Sequence, residues 1–502
     1  MPRGDVYAPD FPPTEVWLNC QRPLSRTDLR GRVVLLDFWT YCCINCLHVL
    51  PDIQYLETKY RDRPFLVIGV HAAKFDNEKN KENIEAAIAR YKIRHPVVID
   101  NNRAIWEAYG IRAWPSLVLI DSRGRIRGTL EGENWRLLLD KAIEELLAEG
   151  EREKTLTAQP WSFWQEPKKE PVALAYPGKI AFDSSGQHLY IADTGHQRVL
   201  ACRLKAFDRA QVMESFESFK QPQGLCVVGN FLYVCDTGNH LIKRIDLISK
   251  KIQTIAGTGE KADFNEPKGE GLETALNSPW DLAYAEGYLY IAMAGAHQIW
   301  SLNLEDNLVE VFAGSGLEGL VDGDLFSAQL AQPSGISIAQ NTIYFVDSEA
   351  SALRQIDLQN DEVKTLIGRG LFDYGNRDGE FAEAWLQHPL GVFADGQSIY
   401  LADTYNHALK KADLINRQIR TLSGRVIGPC RLEEEVGCEV LPLWEPSDVK
   451  IRGENLYLAD TNNHLIRGFD LRSQRLFDVH LENLPRVTEK DIAEIPFWRQ
   501  NL

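Results

Sequence analysis

The chain reads as a multidomain protein, an α/β domain over residues 1–150 followed by an all-β six-bladed propeller over residues 176–502. Three observations predict this. Strand-like and helix-like segments alternate as far as residue 150, and alternation of that kind builds a mostly parallel sheet covered by helices. From residue 176 onward two short anchors recur six times, and a repeat of this period signals a propeller or solenoid. Between the two textures, residues 151–175 are polar and contain proline, as a linker does.

Within the first segment, RVVLLDFW (32–39) is a buried apolar strand and CINCLHVLPDIQYLETKY (43–60) carries helical periodicity. PFLVIGVH (64–71) is a second strand. NKENIEAAIARYK (80–92) is an amphipathic helix preceded by asparagines able to cap it. PVVID (96–100), RAIWEAYG (103–110) and SLVLID (116–121) continue the alternation, and RIRGTLEG follows a turn at Gly124. A last helix over 134–150 is expected to close at Gly150 as a C-cap residue.

The first repeated anchor is a proline followed by small or acidic residues: Pro177-Gly178, Pro222-Gln-Gly224, Pro279-Trp-Asp281, Pro333-Ser-Gly335, Pro389-Leu-Gly391 and Pro446-Ser-Asp448. The second is an apolar strand ending in a turn, as in YIADTGHQRVL (190–200) and YLADTNNHLIRGF (457–469). Spacings of 43 to 57 residues accommodate four strands and a loop per blade. Asp193, Asp236, Asp347, Asp403 and Asp460 are expected to accept backbone N–H bonds in the following turn. Asn239, Asn406 and Asn463 suit positive φ there. His240, His407 and His464 recur in separate blades, which makes them repeat architecture rather than metal ligands. The GTG (257–259), GSG (314–316) and GRG (368–370) segments read as blade-end turns rather than phosphate loops, because no helix is expected after them. The end of 151–175 is a candidate outer strand that closes the propeller.

The net charge is −16, which disfavours phosphate backbones, so no nucleic-acid partner is expected. No apolar run approaches the roughly 18 residues of a membrane helix, so no membrane insertion is expected. No signal peptide is visible, and the expected location is cytoplasmic. The nine cysteines are too sparse for a disulfide scaffold. Cys226 and Cys235 flank a Gly229-Asn230 turn in diagonal register and read as two buried thiols. Cys430 and Cys438 share one loop, and their spacing is compatible with a bridge.

The chemistry-bearing segment is WTYCCINC (39–46). A CxxC at a strand-to-helix junction inside a β/α pattern is a redox motif. Cys43 at the helix N-terminus lies where aligned peptide dipoles favour a thiolate. Cys46, one turn on, reaches a mixed disulfide formed at Cys43. A zinc site would need four ligands, and there is no second CxxC; His48, on the same helix, is expected to face solvent or the domain interface. No cofactor and no metal are expected.

These residues resemble the thioredoxin family. DFWTYCCINC is similar to its strand–loop–helix, Pro51 stands where the family has a helix-kinking proline, and Trp114-Pro115 stands at its cis-proline. The segment at about 71–95 resembles the insertion of the TlpA and peroxiredoxin branch. The resemblance implies that Cys43 is the nucleophile, Cys46 the resolving thiol, Asp37 the acid that assists proton transfer at Cys46, and Pro115 a shaper of the substrate groove. Trp39, Cys42, Ile44, Asn45 and Trp114 are the neighbouring site residues. Cys42 departs from the tryptophan usual before the nucleophile, and Ile44-Asn45 from Gly-Pro, so the direction of electron transfer stays open. The six repeats resemble NHL repeats. The whole layout is similar to thioredoxin-like/NHL-repeat propeller proteins, among them animal NHL-repeat-containing proteins and the lumenal part of the plant suppressor-of-quenching protein, and the length suits a bacterial homologue.

Three functions are compatible with this reading. The first is a thiol–disulfide oxidoreductase acting on a protein thiol or disulfide, with the propeller as interaction platform. The second is a redox-inert scaffold that binds protein. The third is a propeller-based hydrolase working from the central channel.

Overall fold

The computed structural model describes residues 6–13, 15–157, 172–262, 268–424 and 442–485. The chain divides into two compact units, the first reaching Glu170 and the second spanning Pro171–Ile495.

The first unit is a six-stranded sheet with helices: β1 (Val16–Leu18), α1 (Arg26–Leu29), β2 (Val33–Trp39), α2 (Ile44–Lys59), β3 (Phe65–His71), α3 (Lys81–Arg90), β4 (Val97–Ile99), α4 (Ala104–Ala108), β5 (Ser116–Ile120), β6 (Ile126–Glu131) and α5 (Arg136–Arg152). The strand order is β1-β4-β3-β2-β5-β6. The sheet is mixed rather than mostly parallel. β2 runs parallel to β3 and β3 to β4, but β1–β4, β2–β5 and β5–β6 are antiparallel. For β5–β6 the reason is connection length: only five residues separate the two strands, too few for the crossover a parallel partner needs. β2 is central and fully buried, as its unbroken apolar run requires. Side chains alternate between two cores. Val34, Leu36 and Phe38 face one, and Val33 and Leu35 face the other with α2 and α5.

Helix α3 begins as its asparagine predicts: the Asn80 side chain accepts from the N–H groups of Glu82 and Asn83. Gly150, by contrast, does not cap α5, which continues to Arg152. A Cβ there would stand 2.8 Å from Leu156, so the glycine serves close packing.

The second unit is a six-bladed propeller of antiparallel sheets, each blade led by an inner strand: Pro177–Phe182, Leu225–Val228, Pro279–Ala285, Pro333–Ala339, Gly391–Asp395 and Pro446–Arg452. The GTG, GSG and GRG segments follow outer strands and lead into no α-helix among the described residues. Cys226 lies opposite Tyr233, so Cys235 is diagonal to it, and both are free thiols. Cys430 and Cys438 lie outside the described residues.

Two details of the repeat differ from expectation. The positive φ falls one residue later than the asparagines, on His240, His407 and His464. Their Nδ1 atoms accept from the backbone N–H of Ser278, Glu445 and Tyr176 in the next blade, and His297 does the same for Gln332. The histidines are inter-blade staples, and His464 closes the ring from blade six to blade one. The repeated aspartates accept backbone N–H bonds from the strand's own entry segment, 16 to 18 residues upstream, and not from the following turn. Their second oxygens face the turn: Asp236, Asp403 and Asp460 take the Asn239, Asn406 and Asn463 amides. The outer strand added to blade one is His480–Glu482, parallel to Arg209–Phe216; residues 172–175 form no strand, and 158–171 lie outside the described residues.

At the axis the inner strands crowd. A Cβ on Gly224 would lie 2.6 Å from Asp281 Cα, and one on Gly391 2.6 Å from Asp448 Cα. Lys179, from blade one, is 1% exposed; its Nζ donates to the Leu390 carbonyl and lies 3.5 Å from Asp281 and 4.0 Å from Asp448. Contact with blades three, five and six places this ammonium on the axis. Removing one partner of a buried ionic set leaves uncompensated charge. Lys179→Met is therefore expected to lower propeller stability by about 3–5 kcal/mol, read as a shift in the denaturant midpoint; an unchanged midpoint would refute the assignment.

Candidate active site

The site lies where β2 ends and α2 begins. Residues Thr40–Cys43 make the connection, and Cys43 is the N-cap residue of α2, with extended backbone (φ −80°, ψ 114°) and its carbonyl accepting from Leu47 N–H. Its sulfur stands at the positive end of the helix, where an anion is favoured. Cys42, Cys43 and Cys46 are 4%, 4% and 1% exposed, and all three are in the thiol form rather than bridged. Cys43 and Cys46 are hydrogen-bonded to each other through their side chains. Burial pushes the Cys46 thiol well up, and the neighbouring Cys43 adds to this, while the Lys74 charge works in the opposite sense. Ile44 opens the helix as a buried side chain, Asn45 is half-buried, and Pro51 lies inside α2.

Asp37 lies on β2, opposite Gly69 of β3 and Leu117 of β5. Burial pushes its carboxyl up to about 7, with His95 pulling down and Glu57 pushing up. Among the described residues neither of its oxygens finds a hydrogen-bond partner, nor do Trp39 Nε1 and the ring nitrogens of His71 and His95. These groups converge at Gly69, where a Cβ would stand 3.0 Å from Trp39 Nε1 and 3.2 Å from His95 Nε2. His95 Nδ1 lies 3.4 Å from Glu57 Oε1. His71 sits edge-on to Trp39 at 5.2 Å and stacks on Tyr41 at 5.7 Å; burial pushes its pKa down to about 3, which keeps it neutral.

Trp114-Pro115 is a cis peptide, as the resemblance implied. Trp114 Nε1 donates to the Ala72 carbonyl at 2.9 Å, and its ring lies 4.3 Å from that of Trp106. The Lys74 ammonium and the Arg103 guanidinium stand over the same ring at 5.4 and 5.0 Å. His48 does not face solvent: its side chain is 7% exposed and Nδ1 meets Glu133 Oε2 at 2.7 Å.

The structure also brings Glu78, Lys74, His95 and Glu57 to the site, none of which the sequence singled out. Glu78 and Lys74 belong to the segment after β3, within the stretch that resembles the TlpA and peroxiredoxin insertion. A buried glutamate there leaves no periodic signal.

Comparison with known proteins agrees with the architecture. Residues 31–126 match a thioredoxin-like family model, and residues 174–202 and 219–245 match the NHL repeat. The chain is 40% identical over 92% of its length to the protein SUPPRESSOR OF QUENCHING 1, chloroplastic, of Arabidopsis thaliana, of which it spans 46%. It is 36% identical over 94% of its length to the human NHL repeat-containing protein 2, of which it covers 71%. Over 28% of the chain it is 26% identical to the thiol-disulfide oxidoreductase YkuV of Bacillus subtilis, covering 95% of that protein. A thioredoxin-like domain followed by NHL repeats, together with 36% identity to NHL repeat-containing protein 2 over 94% of the chain and 71% of that protein, makes this protein a member of the NHL repeat-containing protein 2 family.

Proposed function

We propose that the chain is a thiol–disulfide oxidoreductase that acts on a protein partner through Cys43 and Cys46, with the propeller as the interaction platform. The observation that carries this is the paired dithiol at the start of α2, which follows the strand that carries Asp37, a buried carboxyl of raised pKa. In the reducing direction, the Cys43 thiolate attacks a substrate disulfide. A Cys43–substrate bond forms, and one substrate sulfur leaves as thiolate. Cys46 then loses its proton to Asp37, its sulfur attacks Cys43, and the second substrate thiolate departs. Two electrons pass to the substrate and Cys43–Cys46 becomes a disulfide. The opposite direction runs through the same intermediate.

The test is a redox titration of the full chain against a glutathione or dithiothreitol potential series, with alkylation and mass spectrometry of each thiol. A reversible two-electron transition confined to Cys43 and Cys46 is expected, and its midpoint sets the direction. Free thiols at every potential would instead favour the scaffold.

A further inference from the structure

The loop that carries Cys42 and Cys43 is neither strand nor helix, so its backbone donors need other acceptors. One side chain serves the Cys42 donor and the Thr40 hydroxyl beside it. Glu78, in the 3-10 turn Asp76–Lys79, is fully buried. Its Oε1 accepts from the Thr40 hydroxyl at 2.5 Å and from Cys42 N–H at 3.0 Å. Its Oε2 accepts from Lys74 N–H at 2.9 Å and from Phe75 N–H at 3.1 Å. Each oxygen thus faces a different segment: one the cysteine loop, the other the start of the insertion after β3. A buried carboxylate is costly unless donors surround it, and this one is spent on joining those two segments.

The second segment carries a cation. Lys74 reaches over the Trp114 ring, next to Pro115, and Trp114 is itself tied to the Ala72 carbonyl. The Lys74 charge also acts on Cys46, against the burial that raises that thiol. Chemistry at this site moves negative charge. When Cys46 resolves a mixed disulfide its S–H bond breaks, the proton passes to a carboxylate, a Cys43–Cys46 bond forms and the substrate sulfur leaves as a thiolate. A cation held nearby favours every anionic stage of that sequence.

Resting on the dithiol reading above, we propose that Glu78 is a positioning residue: its carboxylate ties the cysteine loop to the Lys74 segment, so that the Lys74 ammonium faces the reacting sulfurs and speeds the Cys46 step. Glutamine at position 78 keeps the shape but turns one oxygen into a donor. It would then face Thr40 and Cys42 or Lys74 and Phe75 with the wrong polarity, and the clamp would loosen on one side.

The experiment uses the full chain with oxidised glutathione as the probe. It follows the decay of the Cys43–glutathione adduct by acid quench and mass spectrometry. Lys74→Gln and Glu78→Gln are each expected to slow decay about tenfold, the effect of one pKa unit on the thiolate fraction. The double variant should be no slower than Lys74→Gln alone, because both act through one ammonium. Lys74→Arg should decay at the wild-type rate. Lys74 donates to Glu78 through its backbone N–H, a bond that Lys74→Gln keeps. Wild-type decay in Lys74→Gln, or multiplied effects in the double variant, would overturn the proposal and leave Glu78 a structural residue. Cys46→Ser, run beside them, separates the two readings: a stable adduct there upholds the dithiol chemistry whatever Lys74 does, and no adduct at all refutes both.

Discussion

Cys43→Ser is expected to abolish disulfide exchange, lowering the rate by at least about a thousandfold, because serine supplies no thiolate nucleophile. The fold should survive the change. Cys43 is the N-cap residue of α2, with the extended backbone that such a position requires, and serine is among the favoured N-cap residues. Loss of activity with an unchanged or slightly raised unfolding midpoint would therefore locate the defect in chemistry. Cys46→Ser should behave in the opposite way, still attacking a disulfide but holding the adduct. The asymmetry follows from position. Cys43 stands at the helix terminus, whereas Cys46 is the more enclosed of the two and its thiol is held well above the usual range by burial. Rapid stopped-flow reaction with a chromogenic disulfide, followed by mass spectrometry of the product, checks both. If Cys46→Ser reacted no faster than Cys43→Ser, the assignment of nucleophile and resolving thiol would fall.

The parts of this site that were legible in the sequence are those set by local rules. A strand of apolar residues leading into a helix places Cys43 and Cys46 by spacing alone, and the proline after Trp114 sits in the structure where the motif put it. The parts that were not legible depend on who meets whom across the fold. Asp347 looks in sequence like a turn aspartate, yet its Oδ1 reaches back to Ala331 N–H and its Oδ2 to Arg354. Asn463 looks like the natural positive-φ residue, yet it spends its amide on Asp460 and on the Pro442 carbonyl. That leaves the left-handed conformation to His464, whose ring then meets Tyr176 of the first blade. Glu78 is the strongest case. One of its oxygens serves its own segment, accepting from Lys74 and Phe75 N–H; the demand on the other comes from Thr40 and Cys42, more than thirty residues away.

Asp37→Asn is expected to stabilise the reduced protein at pH 8 by about 2–4 kcal/mol while slowing resolution by Cys46. The sign follows from linkage. In the folded chain burial holds the carboxyl at about 7, against an ordinary value of 3.8. Below pH 4 Asp37 is protonated in both folded and unfolded chains and adds no pH dependence. From pH 4 to 7 the unfolded chain releases the proton and the folded chain retains it, so stability falls as pH rises, and above pH 7 the loss is complete at about 4 kcal/mol at most. Asparagine carries no such charge and removes the loss. His71 has the opposite slope, since burial lowers its pKa to about 3 and its contribution disappears in acid; it is present in both proteins and cancels from their difference. The groups that face Asp37, namely His95 and Glu57, also remain. Urea unfolding of wild type and Asp37→Asn, in reductant, should give curves that coincide near pH 4 and separate progressively up to pH 8. Equal destabilisation at both pH values would mean that Asp37 is a neutral packing group. It would then have no free-energy reservoir with which to take a proton from Cys46. Separation of the curves together with a slower resolving step would join the two observations: the energy stored by burying the carboxyl is what makes it a base strong enough for so raised a thiol.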